Sequence, residues 1–250
     1  VLIDTHTHLC DPVFDPDRAE VLERAAEAGV GAVVAVSETV DDARRNLELA
    51  ERHPMLRPAA GLYPTILDLD QCAEMERLAR HESARLWAVG EVGLDYWKVK
   101  EADELELQRE IFSRMIALAA ELNLPLNVHS RSAGRHAVAF LLERNATRVQ
   151  LHAFDGKPAS ALPAVEAGFF FSVPPSIVRS RQKQKLVKRL PLQCLMLETD
   201  SPVLGAEPGT RNEPAEVVTS LRTIAELKGL AVEAVAEATA ENTRRLYGDL

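Results

Sequence analysis

Eight short apolar runs rich in β-branched residues recur along this 250-residue chain, alternating with longer segments of helical spacing. The runs are Val1–Asp4, Ala32–Val36, Leu56–Ala60, Leu86–Gly90, Leu126–Val128, Val149–Leu151, Phe169–Ser172 and Cys194–Leu197. Helical patterns include Asp17–Ala28, Asp41–Arg52, Asp70–Glu82, Glu104–Leu122, Arg135–Arg144, Ser176–Arg189, Ala215–Lys228 and Val232–Tyr247. A helix between two strands returns the chain to the end where the first strand began, so such strands pair in parallel. Eight units in about 250 residues predict an α/β chain closed into a (β/α)8 TIM barrel. An open doubly wound sheet is the alternative, weakened because no G-x-G-x-x-G turn follows the first run. No linker-like, low-complexity or repeated segment interrupts the pattern, so residues 1–250 are expected to form a single domain.

Composition narrows the class. With 46% hydrophobic and 27% charged residues, and no apolar run near the roughly 18 residues of a membrane span, the chain reads as globular and not membrane-embedded. No basic leader with an apolar core opens it. Cys10, Cys72 and Cys194 are odd in number and widely spaced, which suits a reducing compartment better than a disulfide framework. A cytoplasmic enzyme is the expectation. The formal charge of −9 repels polyanions at long range, which argues against nonspecific coating of nucleic acid while leaving a local anion site open. One basic segment stands apart: Arg179, Arg181, Lys183, Lys185, Lys188 and Arg189. Its periodicity predicts the solvated face of an amphipathic helix with Ile177, Leu186, Val187 and Leu190 turned inward.

Active sites of (β/α)8 barrels lie at the C-terminal rim of the strands. The residues just past the runs are His6 and His8 after the first, Glu91 after the fourth, His129 after the fifth, His152 after the sixth and Asp200 after the eighth. His6 and His8 are two apart, so on an extended strand both imidazoles project to one side. Singly, each residue has an ordinary structural reading, such as a backbone hydrogen bond or a turn. Together at one rim, imidazoles and carboxylates leave buried charge unpaired unless a divalent cation joins them. Six ligands exceed the three usual at one catalytic zinc, and two divalent ions sharing a carboxylate use them all. Zn, Mg, Mn and Co all suit such donors. His53, His81 and His136 fall in or beside helical segments and read as surface residues.

The ordered motifs IDTHTHL (from Ile3), GEVGLDY (from Gly90), NVHSR (from Asn127), LHAFDG (from Leu151), LETDSP (from Leu197) and RNEP (from Arg211) resemble those of the TatD family of metal-dependent deoxyribonucleases, within the amidohydrolase superfamily. The resemblance spans essentially the whole chain. It implies that His6, His8 and Asp200 ligate one metal, that His129 and His152 ligate a second, and that Glu91 joins the two. Many other amidohydrolases carry a carbamylated lysine at that joining position. Family members commonly have a histidine in a G-x-H-P motif after the third strand, whereas this chain reads Gly61-Leu62-Tyr63-Pro64. A phenol hydrogen-bonds a phosphate oxygen but does not carry a proton near neutral pH as imidazole does.

The reading that follows is two-metal hydrolysis of a phosphodiester, with DNA or a small phosphoester bound at the rim and no obligate protein partner. Asp200 and Glu91 are the catalytic candidates, Asp200 as acceptor of the attacking water's proton. Arg131 and Tyr63 are the substrate-binding candidates; an ion pair with a neighbouring carboxylate is the competing role for Arg131. Asp95 and Tyr96 are placed to brace the ligands, with loop capping the other role for Asp95. Trp97 reads as packing or as a surface for a base, and Asn212 and Glu213 as the start of the helix after the last strand. An amidohydrolase or esterase acting on a small metabolite is the alternative function, and a metal-stabilised binding scaffold is a third.

Overall fold

All eight expected strands form, and every ladder between them is parallel. The computed structural model describes residues 1–248. The strands are β1 (Leu2–Thr7), β2 (Val30–Ala35), β3 (Leu56–Ala60), β4 (Ala88–Gly93), β5 (Leu126–His129), β6 (Val149–Leu151), β7 (Phe170–Val173) and β8 (Leu195–Leu197). They pair in sequence order from β1 to β8, the order of consecutive β-helix-β units. Most strand residues are buried, which is why these strands read as continuous apolar runs and not as alternating ones.

Among the described residues nine α-helices surround the strands: α1 (Arg18–Glu27), α2 (Val40–Arg52), α3 (Leu69–His81), α4 (Ala102–Leu122), α5 (Gly134–Glu143), α6 (Pro158–Glu166), α7 (Arg181–Arg189), α8 (Val217–Lys228) and α9 (Val232–Tyr247). Local chemistry sets their starts. Thr39 and Asp42 form a reciprocal capping box at α2, and Asp68 accepts from two backbone N–H groups at α3. Two segments depart from the sequence pattern. Helix α6 has no counterpart in it, because Pro158 and Pro163 read as breakers; Pro158 sits at the first helical position, where no N–H is needed. The expected helix Ser176–Arg189 is instead a 3-10 turn at Pro175–Val178, followed by α7 with Ser180 as its cap. None of the described helices is long and apolar enough to cross a membrane. Cys10, Cys72 and Cys194 are free and buried.

The main core lies between strands and helices, where Phe112, Phe154, Phe171, Met75 and Met115 are fully enclosed. A second cluster gathers Val34, Ala59, Ala88 and Met196 around Leu246 and Tyr247 at the end of α9. The seam between β8 and β1 closes the barrel through polar contacts. Thr5 Oγ1 donates to Leu197 O (2.8 Å), Asp200 N to His6 O (2.9 Å) and His8 N to Ser201 O (2.8 Å). Within the seam the buried Asp4 accepts from Thr199 N at 2.9 Å and bonds Thr199 Oγ1 at 2.5 Å. Burial, opposed by these hydrogen bonds, raises the Asp4 carboxyl well above its usual range, which favours its protonated form. Asp4→Asn is therefore expected to melt close to the parent, whereas Asp4→Ala, which orphans the Thr199 amide, costs about 1–3 kcal/mol in urea unfolding. Equal losses in the two variants would remove the seam role.

Candidate active site

The six rim residues converge from five strands. His6, Glu91 and His129 lie inside β1, β4 and β5, whereas His8, His152 and Asp200 follow β1, β6 and β8. The apolar runs stop short of the first three, expected just beyond their strands, because these polar residues interrupt the pattern while the ladders continue past them. Close approach of β4 to β5 requires glycine. Gly93 has φ +145°, and a Cβ there would stand 2.1 Å from His129 O.

Glu91 is the centre of the cluster. Its Oε1 lies 2.6 Å from His129 Nδ1 and 2.9 Å from His152 Nε2, and those two nitrogens are 3.3 Å apart. Its Oε2 lies 3.8 and 3.5 Å from the Nε2 atoms of His6 and His8, which are themselves 3.3 Å apart. Asp200 Oδ1 completes that side at 3.4 Å from His6 and 3.2 Å from His8. Donors arranged tetrahedrally about an ion at roughly 2.0–2.1 Å are separated by about 3.3–3.4 Å. His6, His8 and Asp200 match that spacing at 3.2–3.4 Å, whereas on the other side Glu91 Oε1 sits at hydrogen-bond distance from His129 and His152. Glu91 Oε2 is buried without a hydrogen-bond partner, an atom left for a cation. The residues therefore fit a divalent metal centre by donor type, spacing and an orphaned carboxylate oxygen.

Two of the imidazoles hydrogen-bond an oxygen through their remaining nitrogen, and the other two face a more distant carboxylate. Asn127 Oδ1 is 2.8 Å from His6 Nδ1, and Asp95 Oδ2 is 3.2 Å from His129 Nε2. Glu198 Oε2 is 3.7 Å from His152 Nδ1, and Glu38 Oε1 is 3.8 Å from His8 Nδ1. The hydrogen bonds to His6 and His129 fix those two rings and leave the other nitrogen's lone pair for a cation, whereas His152 Nδ1 is buried without a hydrogen-bond partner. Asp95 fills both of its expected roles, since its Oδ1 also accepts from Trp97 N and Lys98 N. Asn127, Glu198 and Glu38 were assigned no role from sequence. Asn127 and Glu198 each precede a cluster residue by two, and strand alternation at that spacing is the signal that marks the first.

Electrostatics bind the set together. Burial disfavours the Glu91 carboxylate, but the charges of His152 and His129 and the hydrogen bonds to them outweigh it and hold this carboxyl well below its usual range. Burial likewise opposes ionisation of Asp200, and hydrogen bonds with His6 and His8 reverse the balance. Burial disfavours the imidazolium of His8, yet its bond to Asp200 and the charges of Glu91, Asp200 and Glu38 push it up to about 9. Protons and cations thus compete for the same lone pairs.

The cluster forms the floor of a cavity of about 440 Å³. Tyr63 lines it, half-buried, with its ring 5.1 Å from that of His129. Burial, reinforced by the Glu91, Asp95 and Glu38 charges, raises its phenol, so it enters as a neutral hydroxyl. Arg131 lines the mouth and stacks on Trp97, its guanidinium carbon 3.7 Å from the ring centroid; neither the carboxylate pair nor simple packing of Trp97 describes this arrangement. Tyr96 turns outward, its hydroxyl accepting from Arg109. Asn212 donates to Thr199 O and Val203 O, both at 2.7 Å, and Glu213 pairs with Arg24 at 2.6 Å; both brace the loop after β8. Lys183, read from periodicity as solvated, instead lines the cavity. Four non-glycine residues around the rim adopt positive φ: Ser132 (55°), Ala153 (39°), Asp200 (58°) and Leu204 (51°). Strain of roughly 1–3 kcal/mol each is concentrated around the cluster.

An eight-stranded barrel with a histidine and carboxylate cluster at its C-terminal rim is the architecture of the metal-dependent hydrolase class. Within that class the chain belongs to the TatD family: the family model described as TatD related DNase matches residues 3–248. The human protein named Deoxyribonuclease TATDN3 is 46% identical over 264 residues, covering 100% of this chain and 95% of its own. YabD of Bacillus subtilis, named an uncharacterized metal-dependent hydrolase, is 35% identical over 257 residues, covering 99% of each chain. The solved structure of YjjV, a TatD homologue from Escherichia coli, matches with TM-score 0.92 and 29% identity, covering 100% of this chain and 98% of that one.

If the outer partners aim the imidazoles, Asn127→Ala and Asp95→Asn should each weaken divalent-metal affinity by about 10- to 100-fold without unfolding the barrel. Competition with a fluorescent chelator measures this. Unchanged affinity in both would limit those residues to packing.

Proposed function

We propose that this chain is a metal-dependent deoxyribonuclease that hydrolyses phosphodiester bonds at the barrel rim. The observation that carries the reading is the position of Glu91 between two imidazole pairs, in a family whose named relatives include deoxyribonucleases. His6, His8 and Asp200 would hold one divalent cation, His129 and His152 a second, and Glu91 would serve both; Zn, Mg, Mn and Co all suit these donors. The bound cations supply Lewis acidity toward a phosphoryl oxygen and make a water acidic near neutral pH.

The protein's own groups do the rest. Asp200, its Oδ1 turned to His6 and His8, accepts the attacking water's proton. Its loop is fixed by the Asn212 bonds and the Asp200 N–His6 O bond, so the carboxylate is oriented before substrate arrives. The Tyr63 hydroxyl donates to a phosphate oxygen, and Arg131, held flat on Trp97, presents the edge of its guanidinium to a phosphate. Residues 1–250 would form one domain, because residues drawn from position 6 to position 200 meet in one cluster. The protein would work in the cytoplasm, where three free cysteines persist.

Assay of the metal-reconstituted protein against single-stranded DNA, RNA, bis-p-nitrophenyl phosphate, lactones and amides tests the reading. Phosphodiester cleavage abolished by chelation is the expected result. Turnover of lactones or amides alone would move the function to the amidohydrolase alternative, and no turnover of any member to a binding scaffold. Asp200→Asn is expected to lower phosphodiesterase kcat by about 10²- to 10⁴-fold with folding intact and at least one metal retained. Retention of most activity would assign the proton to another acceptor.

A further inference from the structure

Two cations line the site cavity, at different depths. Arg131 is exposed at the mouth and stacked on the half-exposed Trp97. Lys183 projects from the first turn of α7 and is partly buried among the residues that line the cavity, close to Asp155 and Asp200. Its ammonium donates to Ala153 O at 2.8 Å, immediately after His152. Among the described residues Lys183 forms no ion pair with a carboxylate, and an ammonium has three donors. Two remain for a ligand in the cavity.

This placement is unfavourable for folding alone. A shielded ammonium with no direct ion pair costs desolvation energy, which the more distant charges of Glu198, Asp155 and Asp200 offset only in part. A cation in the first turn of a helix also opposes the helix dipole, and the first turn of α7 contains no acidic residue to offset it. Both penalties reverse when an anion enters the cavity. Gln182, the preceding residue, already ties α7 to the loop after β6 through Phe154 O and Gly156 O, so Lys183 is not needed as the only strap.

We propose that Lys183 is the inner phosphate-binding residue of this site, contacting a non-bridging oxygen of the phosphate being cleaved, while Arg131 contacts the adjoining phosphate of a polynucleotide. The assignment rests on the phosphodiesterase reading above, and it makes the preferred substrate a chain with at least two phosphates. A substrate with one phosphate reaches Lys183 and has nothing for Arg131 to hold.

The test compares Lys183→Met, Lys183→Arg, Arg131→Met and Gln182→Ala in the metal-loaded protein. Substrates are bis-p-nitrophenyl phosphate and a short single-stranded DNA; inorganic phosphate binding is followed by calorimetry. Lys183→Met should lower kcat/KM roughly 10- to 100-fold on both substrates, as expected for loss of a charged hydrogen bond. It should weaken phosphate binding with Tm and metal content unchanged, and Lys183→Arg should recover part of the loss. Arg131→Met should impair cleavage of DNA more than cleavage of bis-p-nitrophenyl phosphate, chiefly through KM. Lys183→Met within twofold of the parent in both turnover and phosphate binding would overturn the proposal. An equal loss in Gln182→Ala, with lowered Tm, would reduce Lys183 to a loop strap. Equal effects of Arg131→Met on both substrates would overturn the division between the cations. If the parent cleaves no phosphodiester, the functional reading fails by itself, and phosphate binding to the parent and to Lys183→Met still decides whether Lys183 holds an anion.

Discussion

A buried carboxylate between two pairs of imidazoles is the constraint around which this molecule is organised. Glu91 is 2% exposed and makes its closest contacts with His129 and His152 on one side and His8 on the other. A charge in that position is tolerated only where opposite charge surrounds it. Supplying that charge requires four histidines to arrive at one point from β1, β5 and the end of β6, which a closed parallel barrel achieves by ending every strand at the same rim. The requirement reaches into the backbone: Gly93 admits the His129 carbonyl where any Cβ would collide, and the positive φ of Asp200 turns the chain back over the cluster.

The cluster residues are held from below as much as from the sides. Asn127, which bonds His6, also donates to Thr5 O at 2.9 Å and to the Tyr247 hydroxyl at 3.2 Å. Tyr247 in turn donates to Gln150, Gln150 to Ser172 at 2.8 Å, and Ser172 to Glu198 at 2.6 Å, beneath His152. One buried hydrogen-bonded chain thus runs from the partner of His6 to the partner of His152, passing through the last turn of α9. Its members satisfy one another, as a polar network in a low-dielectric interior must if it is to rigidify rather than destabilise. Helix α9, the second α-helix after β8, is therefore part of the site's support.

Much of this was legible in the sequence, for physical reasons. Strands buried on both faces give unbroken apolar runs, so all eight were visible, and polar residues that interrupt such runs at their C-terminal ends stand out. That is how the six cluster residues could be located together. Helix α6 was hidden because Pro158 and Pro163 signal a break, although the first helical position tolerates proline. Lys183 was misread because periodicity separates the polar from the apolar face of α7 without saying what the polar face meets. Here its first turn meets the cavity and not bulk water. The strained backbone at Ala153 and Leu204 carries no signal at all, since neither residue type favours positive φ. Such geometry is imposed by the tertiary fold and appears only once the strands are closed.

The central claim is that Glu91 serves two cations at once. Anomalous diffraction from crystals of the protein reconstituted with manganese measures it most directly. The account predicts two peaks about 3.5–4 Å apart, one beside His6, His8 and Asp200 and the other beside His129 and His152, with one oxygen of Glu91 turned to each. A single peak at saturating metal, or two peaks of which only one contacts Glu91, would contradict it.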